Sequence, residues 1–172
     1  GYVHKKEEIS EKLTVLSHSA DLSSANQTFS ELRALKEGET FATNGVSLHE
    51  WYFDVLGGSG EPTGELIEML KETYGSWENF VHYFFACGMA ARGWTILCWN
   101  LREATLRIYN ADAHNQGGVW GCLPILVLDV YEHAYFIDYG SDRKSYIADW
   151  WKNINWDNVQ KLYAKAKQMA SY

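Results

Sequence analysis

Asp129 and His133 are the residues of this 172-residue chain best placed to do chemistry. They follow a short apolar run, Leu123-Pro124-Ile125-Leu126-Val127-Leu128, whose branched residues read as a fully buried strand. A carboxylate at the end of such a strand is driven toward its protonated form unless something positive meets it. A metal ion meets that need, and Asp with His is a ligand pair suited to a first-row transition metal. His49 lies far away in sequence, inside the apolar segment Val46–Leu56. Taken alone it reads either as a ligand or as a hydrogen-bonded histidine within a helical lobe. His114 sits in a polar loop, residues 110–116. His4 and His18 read as solvated surface residues, and His82 as packed or partly exposed on an apolar helix.

The elements that must position these groups follow from periodicity and punctuation. Residues 5–16 put Ile9, Leu13 and Leu16 on one helical face. A second helical pattern covers 27–35 and meets a break at Lys36-Glu37-Gly38-Glu39-Thr40, before a buried helix over 46–56 that stops at Gly57-Gly58. Residues 57–63 are the best linker candidate. An amphipathic helix follows over 64–74, and Ser76 reads as the N-cap of another through Phe80, Phe84 and Phe85. Two strand-like runs, 94–99 and 104–109, are separated by a short polar turn, a hairpin signal. With 123–129 they make three antiparallel strands. Helices are expected around 143–152 and from Asp157 to the end.

Composition narrows the function classes. Apolar residues make up 47% of the chain, with eight Trp and eleven Tyr, so it is globular with a substantial core. No apolar run approaches the ~20 residues of a membrane helix. The net charge is −7 and no stretch clusters Lys and Arg, which speaks against a nucleic-acid partner. An anionic substrate would need local positive guidance against that overall charge. Cys87, Cys98 and Cys122, odd in number and in apolar surroundings, read as reduced core residues and favour the cytoplasm. The opening Gly1-Tyr2-Val3-His4 has no Met, so the beginning of the protein is expected upstream of residue 1.

A longer pattern runs through the C-terminal third. It comprises Asp129-Val130-Tyr131-Glu132-His133-Ala134-Tyr135, then Tyr139, Arg143 and Tyr146, then Asn155-Trp156-Asp157-Asn158-Val159. The succession D-x-W/Y-E-H-A-Y, Y-x-x-x-R-x-x-Y and N-W-x-x-V resembles the C-terminal signature of the iron/manganese superoxide dismutases. The resemblance implies an α+β fold, with a helical N-terminal lobe (residues 1–58) before a C-terminal lobe (59–172). The latter carries a three-stranded antiparallel sheet flanked by helices. It implies a metal between the lobes, bound by three His, one Asp and a solvent molecule, with one iron or manganese ion per subunit. The expected activity is disproportionation of superoxide to oxygen and hydrogen peroxide, in a homodimer or a tetramer of paired dimers.

Site roles follow from the same resemblance. Asp129 and His133 match the C-terminal ligand pair. Ser47 to Gly57 is similar to the N-H-x-x-F/Y-W/F-x-x-L segment and nominates His49 as a further ligand. Gly1-Tyr2-Val3-His4-Lys5 resembles the tail of the segment bearing the first ligand, which places that ligand upstream of residue 1 and makes Tyr2 the gateway tyrosine beside the substrate channel. His114 occupies the place of the outer-sphere Gln or His that bonds the metal's solvent, as against an ordinary loop histidine. Gly45 stands at the alternative position for that Gln, and a His in the role leans the choice toward iron. Such a contact tunes the proton affinity of the bound solvent and the potential of the metal. Glu132 would cross the dimer interface to hold the partner's metal-ligating His. Trp94 would form an aromatic wall and Arg143 would attract the anion. The family usually has Trp where Tyr131, Phe53 and Ile96 stand, Tyr where Phe136 stands, and a small residue where Arg92 stands. These departures, with the ligand absent from the chain, motivate a rival reading: a divergent dimeric binding or structural protein without dismutase activity.

Overall fold

The computed structural model describes residues 1–169, and the chain divides into two compact units, Gly1–Leu48 and His49–Tyr172. The first unit holds helix α1 (Tyr2–Ser17) and most of helix α2 (Glu31–Asp54). Between them the polar segment caps itself. Asn26 Oδ1 accepts from the Thr28 and Phe29 N–H groups, and Ser30 Oγ accepts from the Arg33 N–H, which sets the start of α2. The expected break at 36–40 is absent, and α2 is one continuous helix of 24 residues. A single Gly costs a helix about 1 kcal/mol relative to Ala. Here Gly38 gives close approach in return, since a Cβ there would lie 3.1 Å from Ile9 Cδ1.

The second unit begins with the last turn and a half of α2, which carries His49. Then come α3 (Glu65–Tyr74), α4 (Trp77–Ala90), β1 (Trp94–Asn100), β2 (Thr105–Ala111) and β3 (Cys122–Asp129). A 3-10 turn (Glu132–Ala134), the short α5 (Phe136–Tyr139), α6 (Arg143–Lys152) and α7 (Trp156–Gln168) complete it. The expected run of the last helix to the C-terminus falls in part on 170–172, outside the described residues. Ser76 caps α4 as expected, accepting from the Asn79 N–H. The glycine-rich stretch 57–63 is tied down: Gly58 and Gly60 N–H donate to the Asn153 and Ile154 carbonyls, both at 3.0 Å. A Cβ on Gly58 would come within 2.4 Å of the Asn155 backbone, so glycine here serves close approach rather than slack.

The sheet is antiparallel, in the order β2-β1-β3. All seven residues of the central strand β1 are buried. Helices α3, α4 and α7 pack on the sheet, and Ile125, Leu126, Val127 and Leu128 are wholly buried, as their apolar run requires. Pro124 lies on the edge strand β3 opposite Cys98, beside the register shift between Leu97 and Cys98 of β1, the kind of position where a sheet tolerates proline. The aromatic core lies under α4, α6 and α7. Phe84 stacks on Trp150 at 6.0 Å, and Trp151 and Trp77 meet Trp156 edge-on at 5.4 and 5.3 Å. The register matters for function, because Trp94 pairs with both Ala111 and Asp129. Strand pairing alone therefore gathers Trp94, the loop after β2 and the end of β3 at one end of the sheet.

Candidate metal centre

At that end three acceptor atoms converge. His49 Nε2 lies 3.4 Å from His133 Nε2 and 3.5 Å from Asp129 Oδ2, and His133 Nε2 lies 3.0 Å from the same oxygen. Donors held about 2.0–2.2 Å from one ion, at roughly 90–120° to each other, stand about 2.8–3.8 Å apart. All three separations fall within that range. Two imidazole nitrogens and a carboxylate oxygen crowd one another unless a proton or a cation sits among them, and borderline N and O donors suit a first-row transition metal. Among the described residues this is the one group of His, Cys, Asp or Glu with such spacing.

Each donor is delivered by a different element. His49 comes from α2, Asp129 from the last position of β3, and His133 from the 3-10 turn that follows. Asp129 is 1% exposed, and burial raises its carboxyl pKa, against the Tyr131 N–H bond and the neighbouring imidazoles, which lower it. Its Oδ1 accepts from the Tyr131 N–H at 3.0 Å, which leaves Oδ2 facing the two histidines. The main-chain oxygen of Asp129 accepts from the Tyr146 hydroxyl at 2.7 Å, and that hydroxyl lies 3.1 Å from the Tyr52 hydroxyl. Burial raises the pKa of both phenols, so both stay protonated near neutrality.

The structure places the remaining sequence candidates as follows. His114 is buried, and the Trp94 indole N–H donates to its Nδ1 at 2.9 Å. That bond puts the imidazole proton on Nε2, with the ring 5.6 Å from His49. Burial, and then the charges of His49 and His133, push the His114 pKa down from 6.5 to about 4, so it is a neutral donor at pH 7. Tyr131 stacks on His133 at 5.3 Å and lies 5.2 Å from the His114 ring. Gly93 makes room for it, since a Cβ there would meet the Tyr131 ring at 2.9 Å.

Glu132 is exposed on the 3-10 turn. Arg143 lines an open depression of about 540 Å³ together with Arg92, Tyr131, Glu132 and His133. Its guanidinium also donates to the Ala91 and Met89 carbonyls (2.7 and 3.4 Å) and to the Tyr135 hydroxyl (3.2 Å), tying α6 to the end of α4. Tyr2 lies on the first turn of α1, its ring 6.1 Å from Phe41 within the first unit. His4, His18 and His82 are exposed. Cys87, Cys98 and Cys122 are free thiols, with Cys98 buried and the other two partly exposed.

Sequence reasoning did not find the Trp94–His114 bond or the Tyr52–Tyr146–Asp129 bridge. The one available signal was the i, i+3 spacing of Tyr52 to His49, which puts both on one face of α2.

Comparison with known proteins identifies the family. Residues 62–162 match the family described as iron/manganese superoxide dismutases, C-terminal domain. The chain is 45% identical over 168 residues to the iron superoxide dismutase of Aquifex pyrophilus, covering 96% of this chain and 78% of that protein. It is 44% identical, with the same coverage, to the iron superoxide dismutase of Aquifex aeolicus. The manganese superoxide dismutase of Haloarcula marismortui is 38% identical over 124 residues, 71% of this chain and 61% of that protein.

Proposed function

This chain belongs to the iron/manganese superoxide dismutases, and from that premise we propose that His49, Asp129 and His133 hold one iron or manganese ion at which superoxide is disproportionated to oxygen and hydrogen peroxide. The observation that carries the reading is the convergence of three acceptor atoms within 3.5 Å around a buried carboxylate. When bound, such an ion supplies one-electron redox chemistry, accepting an electron from one superoxide and giving it to the next.

The protein's own residues do the rest. Asp129 contributes one negative charge, and its Oδ1 bond to the Tyr131 N–H keeps Oδ2 turned to the centre. His49 and His133 bind as neutral imidazoles through Nε2. His114, held as the Nε2–H tautomer by Trp94, presents a hydrogen-bond donor beside His49. A neutral imidazole whose proton is fixed on Nε2 can donate a hydrogen bond there to solvent bound at the site, and such a contact would tune the proton affinity of that solvent. Tyr131 forms an aromatic wall between His114 and His133. Arg143 and Arg92 put positive charge on the depression beside His133, where an anion would approach a protein of net charge −7.

Several finer assignments belong to the same proposal. Iron is preferred over manganese, supported by His114 in the outer-sphere position. Tyr2 serves as the gateway tyrosine, supported by its sequence resemblance. Glu132, exposed on its turn, reaches a second copy in a homodimer, and dimers can pair into tetramers. The free thiols support a cytoplasmic location, and no helix among the described residues is long and apolar enough to cross a membrane.

The test is metal analysis of the protein paired with a superoxide-consumption assay, for wild type and for H49A and H133A. The reading expects one iron or manganese per chain with activity in wild type, and loss of both in each variant. Wild type that carries no metal and consumes no superoxide would defeat it and favour a divergent binding protein.

A further inference from the structure

His49 and Asp129 stand on elements that no strand pairing joins, yet their donor atoms must be held within a few tenths of an ångström. One hydrogen-bonded chain spans the gap. Tyr52 lies three residues after His49 on α2, and its hydroxyl meets that of Tyr146 on α6 at 3.1 Å. The Tyr146 hydroxyl then meets the Asp129 carbonyl at 2.7 Å. A carbonyl can only accept and a phenol carries one proton, so Tyr146 donates to Asp129 and Tyr52 donates to Tyr146. The direction of the chain is therefore fixed.

Asp129 is clamped at two points, its side chain by the Tyr131 N–H and its main chain by Tyr146. Helix α6 gives the clamp a firm base. Asp142 caps it by accepting from the Ser145 N–H, Arg143 ties it to Ala91, and the Tyr146 ring stacks on Tyr135 at 5.1 Å. Each joint is an intrachain contact.

We propose that Tyr146, with Tyr52 as its donor, is a positioning pair that sets the register of His49 against Asp129 and so fixes how tightly the site holds its metal and in what ligand geometry. Neither hydroxyl touches the metal or the substrate. The inference rests on the site reading above, and Tyr146 enters that reading only as part of a sequence motif.

The experiment compares wild type, Y52F, Y146F, Y52F/Y146F and Y139F, each loaded with manganese. It measures the rate of metal release to a chelator and the ligand-field absorption spectrum. Removing groups that orient a metal ligand typically costs 10–100-fold in affinity. Y146F is expected to release metal about tenfold faster, with a shifted spectrum, and Y52F to show a smaller change in the same direction. The double variant should match Y146F, because Tyr52 acts only through Tyr146. Y139F removes a hydroxyl bonded to Asp149 and should behave as wild type. Release and spectrum unchanged in Y146F would overturn the inference, as would effects of Y52F and Y146F that multiply. If Y146F does not fold, Y52F carries the test: release slower than or equal to wild type would overturn the inference. Wild type that takes up no manganese or iron would instead defeat the site reading and the inference with it.

Discussion

One step along β3 separates two kinds of interior. Ile125 to Leu128 are completely buried, and Asp129 is 1% exposed. Burial is the same on both sides of that step and its energetics are opposite. Each apolar side chain gains on the order of 1.5–3 kcal/mol by leaving water. A carboxylate loses by it unless partners compensate. The apolar stretch is specified by shape, together with the Phe84, Trp150 and Trp151 rings packed beyond it. The polar end is specified by directed bonds, from Tyr131, Tyr146 and the two histidines. The lesson is that stability and function are written in different residues of a single strand and its surroundings, so the two should separate under mutation.

The largest separation is expected at the polar end. D129N should lower metal content and superoxide consumption by about 100-fold or more, since it removes the charged ligand. Metal-free D129N should nevertheless be at least as stable as metal-free wild type at pH 7. Burial raises the native pKa of Asp129 above 3.8. The native state therefore keeps a proton that the unfolded chain has lost, and stability falls as pH rises through that window. The amide has no such cost. Chemical denaturation of both apo-proteins checks the sign, and a much weaker apo-D129N would break the contrast.

Next comes the apolar side. F84A should cost about 3–5 kcal/mol in denaturation while the folded fraction still binds one metal per chain. Loss of metal from folded F84A would blur the two regions.

A smaller effect belongs to His114. Its pKa falls from 6.5 to about 4 on folding, so as pH drops through that interval the unfolded chain takes up a proton and the native state does not. Stability is therefore lost toward acid pH, by roughly 2–3 kcal/mol between pH 6.5 and 4 for the metal-free protein. H114Q should lack that part of the acid sensitivity, which denaturation midpoints across the range would reveal. The smallest effect is expected at His82, exposed on α4, where H82A should leave metal content and melting temperature as in wild type.

The sequence was most legible where one physical signal acted alone. The apolar run ending at Asp129 located β3 and pointed to Asp129 and His133, which the structure brings within 3.0 Å of each other, and the segment 143–152 coincides with α6. The Lys-Glu-Gly-Glu-Thr stretch misled, because the reason α2 tolerates Gly38 is Ile9, 29 positions earlier in the chain. The turns at 132–139 are too short to show a period. Family resemblance singled out His49 and His114, whose lone local contexts left them open, and the structure places the two rings 5.6 Å apart. The bonds from Trp94 to His114 and from Tyr146 to Asp129 join residues 20 and 17 positions apart. They depend on strand register and helix docking, which leave no mark on local composition.

The account's central claim is that His49, Asp129 and His133 share one cation. Anomalous diffraction at the iron and manganese edges from crystals of the metal-loaded protein tests it most directly. The expected result is a single peak about 2 Å from His49 Nε2, Asp129 Oδ2 and His133 Nε2. A peak bound elsewhere, or metal-loaded crystals with no peak among these three atoms, would contradict it.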